Sequence, residues 1–178
     1  MNKKEPTLDS AYIYRGKVVT LRKDTVLLPN GRKGEREIVE HPGAVAVVPV
    51  TAEGKIIFVK QYRKPLEQET IEIPAGKLDR GEGPEKCALR ELQEEIGFLG
   101  KLEYKFSYFT TPGFSDEIMH LFIARDLEQS YLACDEDEFI EKLEVSPSEA
   151  LHMIMKGEIK DAKTIIGIFT FLQEGHRQ

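Results

Sequence analysis

Three glutamates, Glu91, Glu94 and Glu95, stand within five positions of this chain. What they can do depends on the backbone that carries them. On a helix, at about 100° per residue, they fan across roughly a third of the circumference, while Leu89, Leu92 and Ile96 gather on the side expected to face a core. Like charges one turn apart cost about 0.2–0.5 kcal/mol per pair, so the pattern disfavours a bare helix. A hard divalent cation reverses the sign, because it takes oxygen ligands and Glu91 and Glu95 can aim two carboxylates at one point. The alternative is a solvated acidic face. A second acidic run, Asp135 to Glu138 in "CDEDEFIE", reads on composition alone as a hydrated loop. The histidines, His41, His120, His152 and His176, have no ligand spacing and read as surface or packing residues.

The helix that must carry the glutamates has clear punctuation. Gly81 and Gly83 mark a loop, Pro84 suits a first helical position, Glu85 complements the N-terminal dipole, and Gly97 is placed as a left-handed cap. Strand signals dominate elsewhere. "YIYRGKVVTLRKDTVLL" and "REIVEH" flank a "PNG" turn, "AVAVVPV" and "KIIFVKQYR" flank Ala52-Glu53-Gly54, and "TIEIPAG" reads as a strand ending at Pro74 and Gly76. "KLEYKFSYFT", "EIMHLFIARDL" and "EFIEKLEV" follow as strands, with "SPSEALHMIMKG" and "DAKTIIGIFTFLQ" as closing helices. Mixed α and β elements without internal repeats imply an α/β sandwich.

Composition narrows the function classes. The chain has 178 residues and a formal net charge of -6, enough length for one domain, or one domain plus an arm, and no basic stripe for a nucleic-acid duplex. An acidic protein still handles phosphates if a divalent cation stands between them. Cys87 and Cys134 form no C-x-x-C pair, which argues against a disulfide framework or thiolate zinc site. "MNKKEPTLDS" lacks the apolar core of a signal peptide, and "AVAVVPV" is too short to span a bilayer. A soluble cytoplasmic protein, with no nucleic-acid or membrane partner, is the expectation.

The stretch "GKLDRGEGPEKCALRELQEEIGF" orders Gly76, Glu82, Arg90-Glu91-Leu92, Glu94-Glu95 and Gly97-Phe98 in a spacing that resembles the Nudix box at every defining position. The resemblance implies a Nudix-type α/β/α sandwich of mixed sheets, Mg²⁺ or Mn²⁺ as cofactor, and hydrolysis of a nucleoside diphosphate linked to another moiety. It implies Glu91 and Glu95 as main metal ligands, Glu94 as a further metal-binding and catalytic carboxylate, and the Ala75 carbonyl as an added ligand. Arg90 then holds carboxylates in place, Gly76 permits close backbone approach, and Glu82 ties the loop to the helix.

Further segments, "LPNGRKGEREIVEHPGAVAVVPV", "VKQYRKPLE", "EIPAGKLDRGE" and "DEDEFIE", together with Pro112 in "YFTTPGFSDE", are similar to the bacterial ADP-ribose pyrophosphatases. That likeness implies substrate contacts from Arg36, Glu40, Arg63, Gly113 and Glu117, with Glu136 as general base and Glu138 as a metal ligand on a loop that closes over substrate. It also implies a homodimer: residues 1–40 form an N-terminal β arm carrying Arg36 and Glu40 toward the partner's ligand, and residues 41–178 the hydrolase domain. A two-stranded hairpin is marginal alone, so the arm must dock, the simpler case being onto its own domain. Other nucleoside diphosphate sugars, such as GDP-mannose, or dinucleoside polyphosphates fit the same scaffold. Nudix-like ligand sensors usually have an eroded box or an attached DNA-binding domain, neither of which is present here.

Overall fold

A computed structural model describes residues 3–133 and 139–175. Among the described residues the chain is mixed α/β with three sheets and three helices. It divides into two compact units: one holds the residues up to Gly43 together with Tyr108–Met119, the other Ala44–Ser107 and the residues from His120 onward.

In the first unit, strands β1 (Thr7–Arg15), β2 (Thr20–Leu27) and β3 (Lys33–Glu40) form an antiparallel sheet in that order. The expected turn at Pro29-Asn30-Gly31 closes β2 onto β3, with Gly31 at φ 81° and the Asn30 side chain accepting from the Arg32 amide. The long segment before it breaks at Gly16, whose amide donates to the Val19 carbonyl at 2.9 Å, and this turn adds a third strand to the expected pair. Every residue of β1 is exposed. The segment 114–116 is stitched to the end of β3: Val39 N–H donates to Phe114 O at 2.8 Å, and Ser115 Oγ donates to Val39 O at 3.0 Å.

In the second unit, β4 (Ala44–Pro49) and β5 (Ile56–Arg63) meet at the expected turn, where the Gly54 amide donates to Thr51 O. A short 3₁₀ turn, Lys64–Leu66, leads into β6 (Gln68–Glu72). Here "TIEIPAG" departs from the single strand expected of it. β6 pairs with β5, while β7 (Ala75–Lys77) pairs with β4, so the chain changes sheets at Pro74. Proline lacks the N–H that would continue a ladder, but its carbonyl still accepts from Val47 N–H at 2.9 Å.

The helix α1 (Pro84–Glu91) follows, then β8 (Phe98–Phe109), β9 (Ile118–Gln129), β10 (Glu141–Val145), α2 (Pro147–Met155) and α3 (Ala162–Gly175). The sheets run β10-β5-β6 and β7-β4-β9-β8. Val45 and Val47 of β4 pack with Cys87, Ala88, Leu92 and Ile96 and with Phe122 of β9. A Cβ on Gly167 of α3 would lie 2.9 Å from Val48 on the alternate face. Successive strand residues point to opposite faces, so α1 and α3 cover opposite sides of β4 in an α/β/α arrangement. All six residues of β4 are buried. Among the described residues no helix is long and apolar enough to cross a membrane.

Candidate active site

The box helix is less regular than its sequence period suggests. It is α-helical to Glu91, widens into a π turn over Leu92–Ile96, and stops at Gly97 in the left-handed region, φ 75°. Cys87 and Ala88 join Leu92 and Ile96 in the core, whereas Leu89 is only half-buried. The glutamates do not form a solvated face: Glu91 and Glu95 are 8% and 7% exposed.

Space for Glu91 comes from Gly76. A Cβ on Gly76 would lie 1.7 Å from Glu91 Oε1, so only glycine allows β7 and α1 to approach this closely. The Glu95 carboxylate accepts from the Ala75 amide at 3.1 Å. β7 thus abuts both carboxylates along its backbone.

Arg90 organises the cluster. Its Nε and Nη2 donate to the two oxygens of Glu82 at 3.1 and 3.0 Å, and Nη1 donates to Glu91 Oε1 at 2.7 Å and Glu94 Oε2 at 2.8 Å. Nη2 also reaches the Lys77 carbonyl at 3.1 Å. Hydrogen bonds from Arg90 hold the Glu82 carboxyl down at about 2. In return Glu82, ahead of Glu91 and Glu94, raises the guanidinium pKa above its ordinary value. Glu82 Oε2 accepts from the Asp79 amide as well, tying the loop to the helix as expected. Cys87, pushed up to about 12 by burial, packs beside Arg90 as a neutral thiol.

Four carboxylates face this one guanidinium, Asp79 at 3.9 Å besides Glu82, Glu91 and Glu94, and the buried Glu95 lies one residue beyond Glu94. Burying carboxylate charge in such excess is costly without a cation, and oxygen donors of this type suit Mg²⁺ or Mn²⁺. The donor set therefore fits a divalent ion, with Glu91, Glu94, Glu95 and the Ala75 carbonyl as the groups that would hold it. Among the described residues no three carboxylates, histidines or cysteines already converge as a ligand set, since Glu91 and Glu94 turn to Arg90 and Glu95 to Ala75.

The other candidates are distributed. Arg63, at the end of β5, makes a two-pronged bond to Glu72 of β6, Nε to Oε1 and Nη2 to Oε2, both at 2.8 Å. Burial works against ionisation of Glu72, yet the Arg63 and Lys163 contacts bring its pKa down to about 2. In the first unit, Arg36 makes a similar fork to Glu5 at 2.8 and 2.6 Å, and Glu40 accepts from Arg22 at 2.5 Å. Glu117 accepts a very short hydrogen bond from Thr110 and lies 3.5 Å from His41 Nε2, whose Nδ1 accepts from the Gly43 amide. Gly113 is exposed in the turn between Thr110 and Glu117. Glu136 and Glu138 lie outside the described residues.

Three residues escaped the sequence reading. Read from the sequence, His41 is a surface or packing residue, yet it lies 3.5 Å from Glu117, and Glu72 and Lys163 carry no local signal. Their partners are long-range: Lys163 meets Glu72 across 91 positions. His120, by contrast, keeps its ordinary reading, bonded to Ser107 at 2.6 Å with its pKa lowered by burial.

Comparison with known proteins agrees with this geometry. A family model described as NUDIX domain matches residues 40–166, and one described as nucleoside diphosphate sugar hydrolase N-terminal domain matches residues 5–39. The chain is 52% identical over 167 residues to an ADP-ribose pyrophosphatase of Bacillus subtilis, covering 92% of this chain and 90% of that protein. It is 49% identical over 174 residues to a methanol dehydrogenase activator of Bacillus methanolicus, covering 96% and 94%. A GDP-mannose pyrophosphatase of Escherichia coli is 33% identical over 153 residues, covering 80% and 79%. A crystal structure of an ADP compounds hydrolase superposes with a TM-score of 0.86 at 22% identity, covering 98% of this chain and 97% of that one, and thus shares the fold.

Proposed function

The chain belongs to the Nudix family, and from that premise we propose that it hydrolyses the pyrophosphate of ADP-ribose, yielding AMP and ribose 5-phosphate by attack of water at phosphorus. The observation that carries the reading is the buried Glu91 and Glu95 pair against Gly76, in a cluster with more carboxylate than cation. The likeness to the Bacillus subtilis enzyme narrows the substrate to ADP-ribose.

Glu91, Glu94, Glu95 and the Ala75 carbonyl would hold Mg²⁺ or Mn²⁺, with Glu138 as a further ligand. When bound, the ion neutralises pyrophosphate charge and makes water more acidic. Arg90 keeps Glu91 and Glu94 oriented, Glu136 takes the proton from the attacking water, and Arg63 donates to the diphosphate. Arg36, Glu40, Gly113 and Glu117 contact the rest of the substrate. In the homodimer the N-terminal arm, residues 1–40, brings Arg36 and Glu40 to the partner's ligand, making each site composite.

A hydrolysis panel with product identification tests the reaction. AMP and ribose 5-phosphate should appear with Mg²⁺, vanish with chelator and return with Mg²⁺ or Mn²⁺. Turnover of GDP-mannose with negligible ADP-ribose cleavage reassigns the substrate. Light scattering of the full chain and of a chain starting at His41 tests assembly, and a full-length monomer with normal KM refutes the composite site. The near-equal likeness to an activator of methanol dehydrogenase favours a second reading, in which the chain acts on a dehydrogenase. Adding it to such an enzyme, with Glu95→Gln as control, separates an effect of hydrolysis from one of binding.

A further inference from the structure

Glu72 is 3% exposed and lies outside the box, yet its carboxylate accepts from four donors. Oε1 receives Arg63 Nε at 2.8 Å and Thr70 Oγ1 at 2.6 Å; Oε2 receives Arg63 Nη2 at 2.8 Å and Lys163 Nζ at 2.5 Å. A carboxylate offers about four lone-pair sites, so Glu72 has no capacity left for a metal or a substrate. Its work is confined to the groups it already holds.

Those groups are themselves anchored. Lys163 also contacts Asp161 at 3.1 Å, and Asp161 accepts from the Thr164 amide and hydroxyl near the start of α3. Thr164 Oγ1 in turn accepts from the Ile73 amide beside Glu72. The carboxylate plane is therefore set by β6 and α3 together, and it fixes Arg63 along the Nε and Nη2 edge. Nη1 makes no hydrogen bond among the described residues, and the Arg63 side chain is 42% exposed although its anchor is buried. The segment that carries Glu72 runs on to Ala75, whose amide donates to Glu95 of the box at 3.1 Å, and Glu95, after Glu72, is among the carboxylates that raise the Arg63 pKa.

We propose that Glu72 is a positioning residue for substrate binding: held by Thr70 and Lys163, it clamps one edge of Arg63 so that the Nη1 end is presented to the substrate diphosphate. This rests on the reading above that Arg63 meets that diphosphate. An unclamped arginine carries considerable rotamer freedom, which must be lost when it binds a ligand. The clamp removes that freedom in the free enzyme, so its effect falls on substrate affinity more than on the chemical step.

The test uses the full chain, as wild type, Arg63→Ala, Glu72→Gln and the double variant. KM for ADP-ribose is measured with Mg²⁺, and Kd by calorimetry with chelator present. Glu72→Gln should raise both about tenfold while kcat changes less than about threefold, and should add less than about twofold in the Arg63→Ala background. The same factor in both backgrounds, with a lower melting temperature, means Glu72 only supports the fold and overturns the proposal. If Glu72→Gln does not fold, Lys163→Met loosens the same carboxylate. It should raise KM about threefold, again only when Arg63 is present; an unchanged KM overturns the proposal. Wild-type hydrolysis with an unchanged KM for Glu72→Gln defeats the positioning role alone, whereas a wild-type chain that cleaves no nucleoside diphosphate sugar defeats the functional reading and this inference together.

Discussion

Arg90 and Glu72 each sit at the centre of a charged cluster, and the two clusters are balanced differently. Around Glu72, the cations Arg63 and Lys163 meet the carboxylates Glu72 and Asp161. Around Arg90, one guanidinium meets Asp79, Glu82, Glu91 and Glu94. Buried ion pairs contribute little net stability even when matched, since desolvation offsets their attraction. A matched cluster is consequently suited to holding a side chain in one orientation. An unmatched one stores a charge deficit that a bound ion of opposite sign relieves. The sign and size of the imbalance, more than the presence of ionic residues, distinguish where a ligand is received from where a receiving group is aimed.

The sharpest way to break this contrast is to remove charge from the unmatched cluster. Glu95→Gln keeps size and hydrogen bonding to the Ala75 amide, and should lower kcat by about a thousandfold or more with the circular dichroism spectrum unchanged. Glu91→Gln should act likewise. A near-normal rate for Glu95→Gln would mean that the carboxylate excess serves no ion.

Geometry can be altered without touching charge. Gly76→Ala places a methyl on Glu91 Oε1, so Glu91 must move or β7 must separate from α1. Activity should fall about a hundredfold, with about 1–3 kcal/mol lost in urea unfolding. Unchanged activity would show that the carboxylate works equally well elsewhere.

Arg90→Met tests the centre itself. Without the guanidinium, Glu82, Glu91 and Glu94 repel one another, and stability should fall by about 3 kcal/mol in metal-free buffer. Added Mg²⁺ should recover part of that loss, because an ion that binds only the folded chain stabilises it. If Mg²⁺ recovers nothing, Arg90 and the ion do not share these carboxylates.

The smallest expected effect is on pH dependence. The Glu82 carboxyl falls from an ordinary 4.5 to about 2 in the fold. On acidification the unfolded chain takes up this proton first, so the contribution is complete above about 4.5 and is lost as pH falls through about 2. Melting temperatures across that window should decline, and less steeply in Glu82→Gln. Equal slopes in the two chains would remove Glu82 from the acid response.

The residues of the box were legible from types and spacing because they are local. Pro84, Gly97 and the glutamates between them sit on one short helix, where neighbours in sequence are neighbours in space. The Asn30-Gly31 turn and the apolar strand β4 were legible for the same reason, since turn chemistry and strand propensity act over a few residues. Tertiary structure decided what depends on distant partners. The burial of Glu91 against β7 and the π turn that follows it leave no mark in a 3.6-residue period, because they depend on what packs against the helix. The division of "TIEIPAG" between two sheets depends on which strands lie beside it. Glu72 reads in sequence as one more strand glutamate; it becomes a clamp only because α3 brings Lys163 to it from 91 residues away. Local sequence determined which side chains could do chemistry, and long-range packing decided which of them are buried, matched or left with charge to spare, since desolvation and pairing are properties of the surroundings.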